Sequence, residues 1–122
     1  YTKYIGKNIN EFKNKKIIAF AGIGNPINFF DLLKENKINL IKEIKFPDHY
    51  NYQNIDLDNL INESRKNNAI LLTTEKDFLR IDKNYIPNIN FLKISVEIKN
   101  HDQFVEEIKK IIWKLLNIFL NL

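Results

Sequence analysis

The sequence is short of several residue types that define common protein classes. It contains no cysteine and no methionine, and only two histidines, three glycines and three prolines in 122 residues. The absence of cysteine excludes disulfides and thiolate metal sites, so an apolar core must hold the fold together. No apolar run approaches the about 20 residues that a bilayer-spanning helix needs. Because the chain starts at Tyr1 and lacks methionine, we expect it to be part of a longer protein.

Arginine is scarce as well, although the chain is basic overall. The formal net charge is +4 and the pI about 9.2, yet only two of the 19 basic residues are arginines. Proteins that read nucleic acids favour arginine because its planar fork matches phosphates and base edges. The lysines are also spread along the chain instead of forming a patch. We therefore expect no nucleic-acid partner.

What the chain does have is an alternation of apolar strand patterns and amphipathic helix patterns. Such alternation is typical of a parallel sheet with helices packed on it. The predicted fold is α/β, a Rossmann-like open, mainly parallel sheet with helices on both faces. Residues 1–14 are predicted as a linker segment and residues 15–122 as a single α/β domain. The predicted strands are 16–21, 38–45, 69–73 and 91–96, and the predicted helices are 26–36, 55–68, a short one after Thr74, and 103 to the end.

Polar and glycine-rich segments follow the first three predicted strands. In an open parallel sheet, ligands bind outside the carboxyl ends of the strands, so these segments are expected to share one edge. That edge is the predicted site, with no metal ligands among its residues. Its members are Gly22, Gly24 and Asn25 after the first strand, Asp48, His49 and Tyr52 after the second, and Thr73, Thr74, Glu75, Lys76 and Asp77 at and after the third.

The pair Asp48–His49 is the strongest candidate for chemistry at this edge. Pro47 restricts the backbone in front of it, and a neutral imidazole can take up a proton near neutral pH. The alternative interpretation is a surface histidine beside a capping aspartate. Other residues of the predicted site also have purely structural interpretations. Gly22 and Gly24 suit a tight turn, and Thr74 with Asp77 suits a helix cap.

The last predicted helix is apolar around most of its circumference. Such a helix is buried in a core, covered by another domain, or laid on a membrane surface. Its lysines and Trp113 would suit an anionic interface, whereas simple core packing needs no partner.

Several of these motifs together resemble the C-terminal half of the tetraacyldisaccharide 4'-kinase family. They are Ala-Phe-Ala-Gly-Ile-Gly-Asn-Pro at 19–26, Phe-Phe at 29–30, Phe-Pro-Asp-His at 46–49, Tyr52, and Thr-Thr-Glu-Lys-Asp at 73–77. Their order and spacing match the family from about residue 16 to residue 80.

The resemblance implies an ATP-dependent lipid kinase of Gram-negative bacteria, peripheral on the cytoplasmic face of the inner membrane. Such an enzyme phosphorylates the 4'-hydroxyl of tetraacyldisaccharide 1-phosphate in lipid A biosynthesis. ATP and Mg²⁺ would be bound mainly by an N-terminal P-loop domain, and the lipid disaccharide would be the substrate. The resemblance implies a catalytic role for His49, paired with an aspartate of the P-loop domain, and a supporting role for Asp48.

Two other functions are open from the residues alone. The chain could be a non-catalytic α/β module that binds a nucleotide or a protein partner at the sheet edge. It could also be a small independent enzyme that uses Asp48 and His49 as acid and base. No Gly-x-x-x-x-Gly-Lys-Ser/Thr motif occurs in the sequence, so we expect no kinase activity from this chain without a P-loop domain.

Overall fold

The structure, a computed structural model, describes residues 2–6, 8–98 and 101–120. It divides into two compact units, which we call the sheet unit (residues 6–95) and the helical unit (residues 1–5 and 96–122). Every residue of the predicted site lies in the sheet unit. The predicted domain range 15–122 includes residues 99–100 and 121–122, which lie outside the described residues.

The sheet unit is built on four parallel strands with helices between them. Its strand order is β3-β2-β4-β5, and each neighbouring pair is parallel. This confirms the predicted α/β class with a parallel sheet. The elements are β2 (Lys16–Ala21), α1 (Pro26–Glu35), β3 (Asn39–Lys45), α2 (Asn54–Lys66), β4 (Ile70–Thr74), α3 (Glu75–Phe78) and β5 (Asn90–Leu92), with 3₁₀ helices at Ile9–Phe12 and Lys83–Asn88.

Two apolar cores lie on opposite faces of the sheet, because alternate residues of β2 point in opposite directions. Ile17, Ala19 and Ala21 pack with α1 in one core, whereas Ile18 and Phe20 pack with α2 in the other. All five side chains are fully buried. The continuous apolar run of β2 is thus explained by its central position in the sheet.

The two long helices of the sheet unit begin in different ways. Pro26 occupies the first turn of α1, where its fixed φ suits a helix, and Asn25 at the N-cap makes no side-chain capping hydrogen bond. At α2, the Asp56 carboxylate reaches back to accept from the N–H of Gln53 at the N-cap, at 2.9 Å, a contact that the sequence analysis did not predict. Both starts leave the preceding loop at the carboxyl end of a strand.

The predicted single strand at 91–96 is wrong. The structure has two strands there, β5 and β6 (Ile94–Ile98), and they belong to different sheets. The side chain of Asn8 separates them, since its amide donates to the Phe91 carbonyl at 3.0 Å and its oxygen accepts from the Lys93 N–H at 2.8 Å. A distant side chain takes the hydrogen bonds that a continuous strand would use.

β6 pairs with β1 (Thr2–Gly6) in a two-stranded sheet, and α4 (His101–Leu120) follows it. The long final helix is thereby confirmed. Many of its apolar side chains are exposed, including Trp113 at 64% and Phe119 at 74%. None of the helices in the described ranges combines the length and hydropathy that crossing a membrane requires.

Candidate active site

The carboxyl ends of β2, β3 and β4 meet at one edge of the sheet, and the three predicted segments come together there. The backbone N–H of Phe46, after β3, donates to the Ala21 carbonyl at 2.8 Å. The N–H of His49 donates to the Gly22 carbonyl at 3.0 Å. The loop after β3 is therefore bonded directly to the loop after β2.

The gap between β2 and β4 is the switch point of this sheet. The crossover from β2 runs to β3 on one side, and the crossover from β3 returns to β4 on the other, with α1 and α2 on opposite faces. Open α/β folds bind ligands in the crevice that such a reversal leaves. In this chain side chains close the crevice: the Thr73 hydroxyl donates to the Phe20 carbonyl at 2.8 Å, and the carboxylate of Asp77 bridges to the Gly22 N–H.

Asp77 is the centre of a buried polar network. Its side chain is 0% exposed. Its two oxygens accept from the Gly22 N–H, each at 3.1 Å, from the Tyr52 hydroxyl at 3.0 Å, from the Thr74 hydroxyl at 2.7 Å and from Arg80 Nη2 at 2.5 Å. Among the described residues, no buried side-chain nitrogen or oxygen lacks a partner. Hydrogen bonds and an adjacent guanidinium are what make a buried carboxylate tolerable.

Thr74 begins α3 but does not form the complete capping box that its spacing with Asp77 suggests. Its hydroxyl oxygen does accept from the Asp77 N–H at 3.1 Å, as an N-cap should. The second half of the box would require the Asp77 carboxylate to reach back to the Thr74 N–H. That carboxylate turns instead toward Gly22 and Tyr52, because those donors lie in the closed crevice.

Gly22 is required by crowding and not by a left-handed backbone. A Cβ at this position would lie 3.0 Å from the Tyr52 hydroxyl, 3.2 Å from Asp77 Oδ1 and 3.2 Å from the Pro47 carbonyl oxygen. No glycine in the described chain has a positive φ. At Gly24 the nearest atom to an added Cβ is Asp48 Oδ2 at 3.3 Å, which belongs to an exposed side chain.

Asp48 and His49 sit on the outer surface of this edge. Their side chains are 51% and 81% exposed, and the His49 Nε2 atom lies 3.6 Å from Asp48 Oδ2. The backbone of His49 is left-handed, with φ of 57°. The loop thus presents an imidazole and a carboxylate side by side in solvent, where they can accept and hold a proton.

Aromatic rings support the loop from below. Phe46 lies 5.0 Å from Tyr50 and 5.1 Å from Tyr52, measured between ring centroids, and Tyr52 also packs edge-on against Phe20. The Tyr50 hydroxyl donates to Asp56 at 2.9 Å, and this hydrogen bond raises the pKa of Tyr50. Burial, together with the charge of Asp77, raises the pKa of Tyr52, so its phenol stays a hydrogen-bond donor.

The other predicted site residues divide by exposure. Tyr52, Thr73, Thr74 and Asp77 are buried in the closed crevice, whereas Gly24, Asn25, Glu75 and Lys76 are exposed. Glu75 and Lys76 also line a mainly apolar cavity of about 290 Å³ with Ile23, Thr74, Leu92 and Ile94. A contact between any of these residues and ATP or lipid stays a prediction.

Arg80 is the main residue that the sequence reading missed. It lies three residues after Asp77, a spacing that places two side chains on the same face of a helical turn. It is also one of only two arginines in the chain. Both signals were present in the sequence, but neither indicates that the guanidinium also donates to the Gly22 carbonyl at 2.9 Å.

No cluster of three or more histidine, aspartate or glutamate side chains that could hold a metal ion occurs in the part of the chain that the structure describes. The sequence also lacks the Gly-x-x-x-x-Gly-Lys-Ser/Thr loop that cradles phosphates in P-loop kinases. The edge exposes the Asp48 carboxylate and the His49 imidazole, two acid–base groups.

Comparison with solved structures finds the same fold in a larger protein. The apo form of LpxK from Aquifex aeolicus, in a crystal structure in complex with ATP, superimposes with a TM-score of 0.54 over 93% of this chain and 34% of that one. The two sequences are 24% identical, so this likeness shows the fold alone.

Sequence comparisons identify closer relatives. The tetraacyldisaccharide 4'-kinase of Pelagibacter ubique is 37% identical over 110 residues, covering 89% of this chain and 35% of the relative. That of Rickettsia typhi is 42% identical over 118 residues, covering 89% and 36%. The chain therefore spans about a third of the length of these relatives. The sequence model of tetraacyldisaccharide-1-P 4'-kinase matches residues 3–113, nearly the whole chain. This chain belongs to the tetraacyldisaccharide-1-P 4'-kinase family.

Proposed function

We propose that this chain is the C-terminal lobe of an ATP-dependent lipid kinase. The reaction is transfer of the γ-phosphoryl group of ATP to the 4'-hydroxyl of tetraacyldisaccharide 1-phosphate, a step of lipid A biosynthesis in Gram-negative bacteria. Family membership supports this assignment, together with the position of the Asp48–His49 pair. His49 takes up the proton of the acceptor hydroxyl, and Asp48 orients the imidazole.

The exposure of His49 is the observation that carries the proposal. An imidazole that is 81% exposed at the carboxyl edge of a parallel sheet is free to meet a substrate or a second domain. The loop beneath it is anchored through the Gly22 carbonyl and the aromatic rings, so the imidazole starts from a defined backbone. Exposure of the reactive group on an anchored loop suits a site that a partner domain completes.

ATP and Mg²⁺ are assigned to an N-terminal P-loop domain of the same protein. The lack of a phosphate-cradling loop in this chain supports that division. It predicts that the purified chain does not turn over ATP in the presence of the lipid acceptor, whereas the full-length enzyme does. Turnover by the chain alone would contradict the division of labour and favour a small independent enzyme.

His49→Asn in the full-length kinase tests the catalytic role directly. Asparagine tolerates a left-handed backbone, so this change removes the imidazole without straining the loop. Loss of a general acid–base group lowers kcat by about 10²–10⁴-fold. His101→Asn, at the other histidine of the chain, is the control and should leave kcat unchanged. A His49→Asn enzyme within about threefold of wild type would favour the alternative, a non-catalytic binding module.

The helical unit is proposed to rest on the cytoplasmic surface of the inner membrane. Exposed apolar side chains such as Trp113 and Phe119, beside Lys109, Lys110 and Lys114, are the combination that anionic bilayers attract. Binding of the full-length enzyme to anionic liposomes should fall when Trp113 and Phe119 are both changed to serine. Ile55, which is 64% exposed on α2, supplies the control: Ile55→Ser should not reduce binding. Equal binding by all three proteins would remove the membrane from the proposal.

A further inference from the structure

The proposed chemistry leaves the buried carboxylate of Asp77 and its partner Arg80 unused. We propose that the Asp77–Arg80 pair is a positioning device that sets the backbone of His49 through Gly22. The inference rests on the proposed function, since it concerns the same reaction and the same imidazole.

Three hydrogen bonds connect the pair to His49. The Asp77 carboxylate accepts from the Gly22 N–H at 3.1 Å, and Arg80 Nη2 donates to the Gly22 carbonyl at 2.9 Å. The same carbonyl accepts from the His49 N–H at 3.0 Å. Both backbone groups of Gly22 are therefore held by one ion pair, and the held carbonyl is the one that anchors His49.

His49 depends on this anchoring more than an ordinary loop residue would. Its φ of 57° lies in the left-handed region, which costs free energy for a residue with a side chain, least for asparagine and aspartate, and persists where the surroundings impose it. The imidazole itself is 81% exposed, and its Nε2 atom lies 3.6 Å from Asp48 Oδ2. Since the side chain is largely exposed, the backbone of His49 fixes where its Cβ lies and therefore the region that the ring can reach.

Direct contact with substrate is a poor explanation for Asp77. The carboxylate is fully buried, and its oxygens already accept from four residues of its own chain. An ionised carboxylate offers about four lone-pair sites, so none is left for a ligand. Arg80 is different, because its side chain is 30% exposed, and a phosphate contact must be separated from positioning by experiment.

Steady-state kinetics of the full-length kinase make that separation. Arg80→Met should lower kcat by roughly ten- to a hundredfold, because a small displacement of a catalytic group has effects of that size. The KM values for ATP and lipid should stay within about twofold, since positioning acts on the transition state. Arg80→Lys, which keeps a cationic donor, should recover most of the loss. Arg65→Met is the matched control, because Arg65 is the other arginine and is exposed on α2. A raised KM with unchanged kcat would make Arg80 a substrate contact and overturn the inference.

A double-mutant cycle tests whether Arg80 acts through His49. Once His49→Asn has removed the imidazole, adding Arg80→Met should lower kcat by no more than about twofold. An undiminished loss in that background would overturn the inference.

If Arg80→Met does not fold, Tyr52→Phe replaces it in the same cycle, because it removes only the hydroxyl that bonds Asp77. If His49→Asn loses activity while Arg80→Met and Tyr52→Phe remain fully active, this inference is wrong and the proposed function stands. If His49→Asn is fully active, both the proposed function and this inference are wrong.

Discussion

Two aspartates at the same edge of the sheet, Asp48 and Asp77, have opposite surroundings. Asp48 is 51% exposed, and its Oδ2 atom lies 3.6 Å from the Nε2 atom of His49. Asp77 is fully buried and accepts from Gly22, Tyr52, Thr74 and Arg80. A polar residue at the carboxyl end of a strand can therefore either meet a ligand or hold the loops that do.

The difference follows from the sheet order. Asp77 follows β4, the neighbour of β2 across the switch point, so its carboxylate falls into the crevice between the two strands. Asp48 follows β3, on the other side of β2, and its loop passes over the top of Gly22. We expect Asp77 to govern stability and, through Gly22, the position of His49, whereas the Asp48–His49 loop carries the reacting groups.

Removing each carboxylate in turn is the strongest test of the difference between Asp48 and Asp77. Asp77→Ala leaves Arg80, the Gly22 N–H and two hydroxyls without their acceptor, and breaking a buried ion pair costs about 3–5 kcal/mol of unfolding free energy. Asp48→Ala should change the unfolding free energy by less than about 0.5 kcal/mol, as most surface substitutions do. Urea denaturation of the two variants and wild type measures both values. Equal losses would contradict the assignment of Asp77 to the structural role.

The two glycines of the first loop should differ in the same direction. Gly22→Ala places a Cβ 3.0 Å from the Tyr52 hydroxyl and 3.2 Å from a backbone carbonyl, and overpacking of this kind costs about 1–3 kcal/mol. At Gly24 the nearest neighbour is the exposed Asp48 side chain, which can move aside, so Gly24→Ala should cost less than about 0.5 kcal/mol. Thermal or urea unfolding distinguishes the two. A larger loss of unfolding free energy in Gly24→Ala than in Gly22→Ala would show that the surroundings of Gly22 are not the more crowded of the two.

Alkaline pH should weaken the buried network selectively. The pKa of Tyr52 is raised in the folded chain, so its phenol stays protonated when the unfolded chain ionises near pH 10. The stabilisation is complete below that pH and is lost as the pH rises above it. Between pH 10 and 11 the loss is roughly 1 kcal/mol of unfolding free energy. Tyr52→Phe should remove this part of the slope, whereas Tyr85→Phe should remove less of it, because the Tyr85 pKa is raised mainly by a hydrogen bond to the surface carboxylate of Asp58. Unfolding free energies measured by urea at several pH values provide the comparison. An unchanged slope in Tyr52→Phe would contradict a buried phenol.

The smallest effect is expected at the exposed loop. His49→Gly relieves a left-handed backbone and should raise the free energy of unfolding by up to about 1 kcal/mol. Lys37→Gly is the matched control, since Lys37 has nearly the same φ of 58° far from the site. Both gains should be similar when measured by chemical denaturation, while activity is lost in His49→Gly alone. Destabilisation by His49→Gly would show that the imidazole packs against the fold.

Much of the fold could be predicted because its signals are local. The run 16–21 is apolar without alternation, and a strand buried on both faces requires that. Pro26 marks the start of α1 and the Thr74–Asp77 spacing marks the start of α3. The break between β5 and β6 could not be predicted, because Asn8, more than 80 residues away, takes the hydrogen bonds on either side of it.

The candidate site shows the same division between local and distant causes. Residue types, spacing and the rule that parallel strands end at one edge were enough to place Asp48, His49, Gly22 and Asp77 together from the sequence. Local pattern alone also established an alternating α/β chain with a wide apolar stripe on its last helix. Which aspartate is buried, why Gly22 admits no side chain, and that Arg80 joins the pair were decided by tertiary structure alone. Burial and donor geometry depend on which strands are neighbours, and strand order is a long-range property that local pattern does not encode.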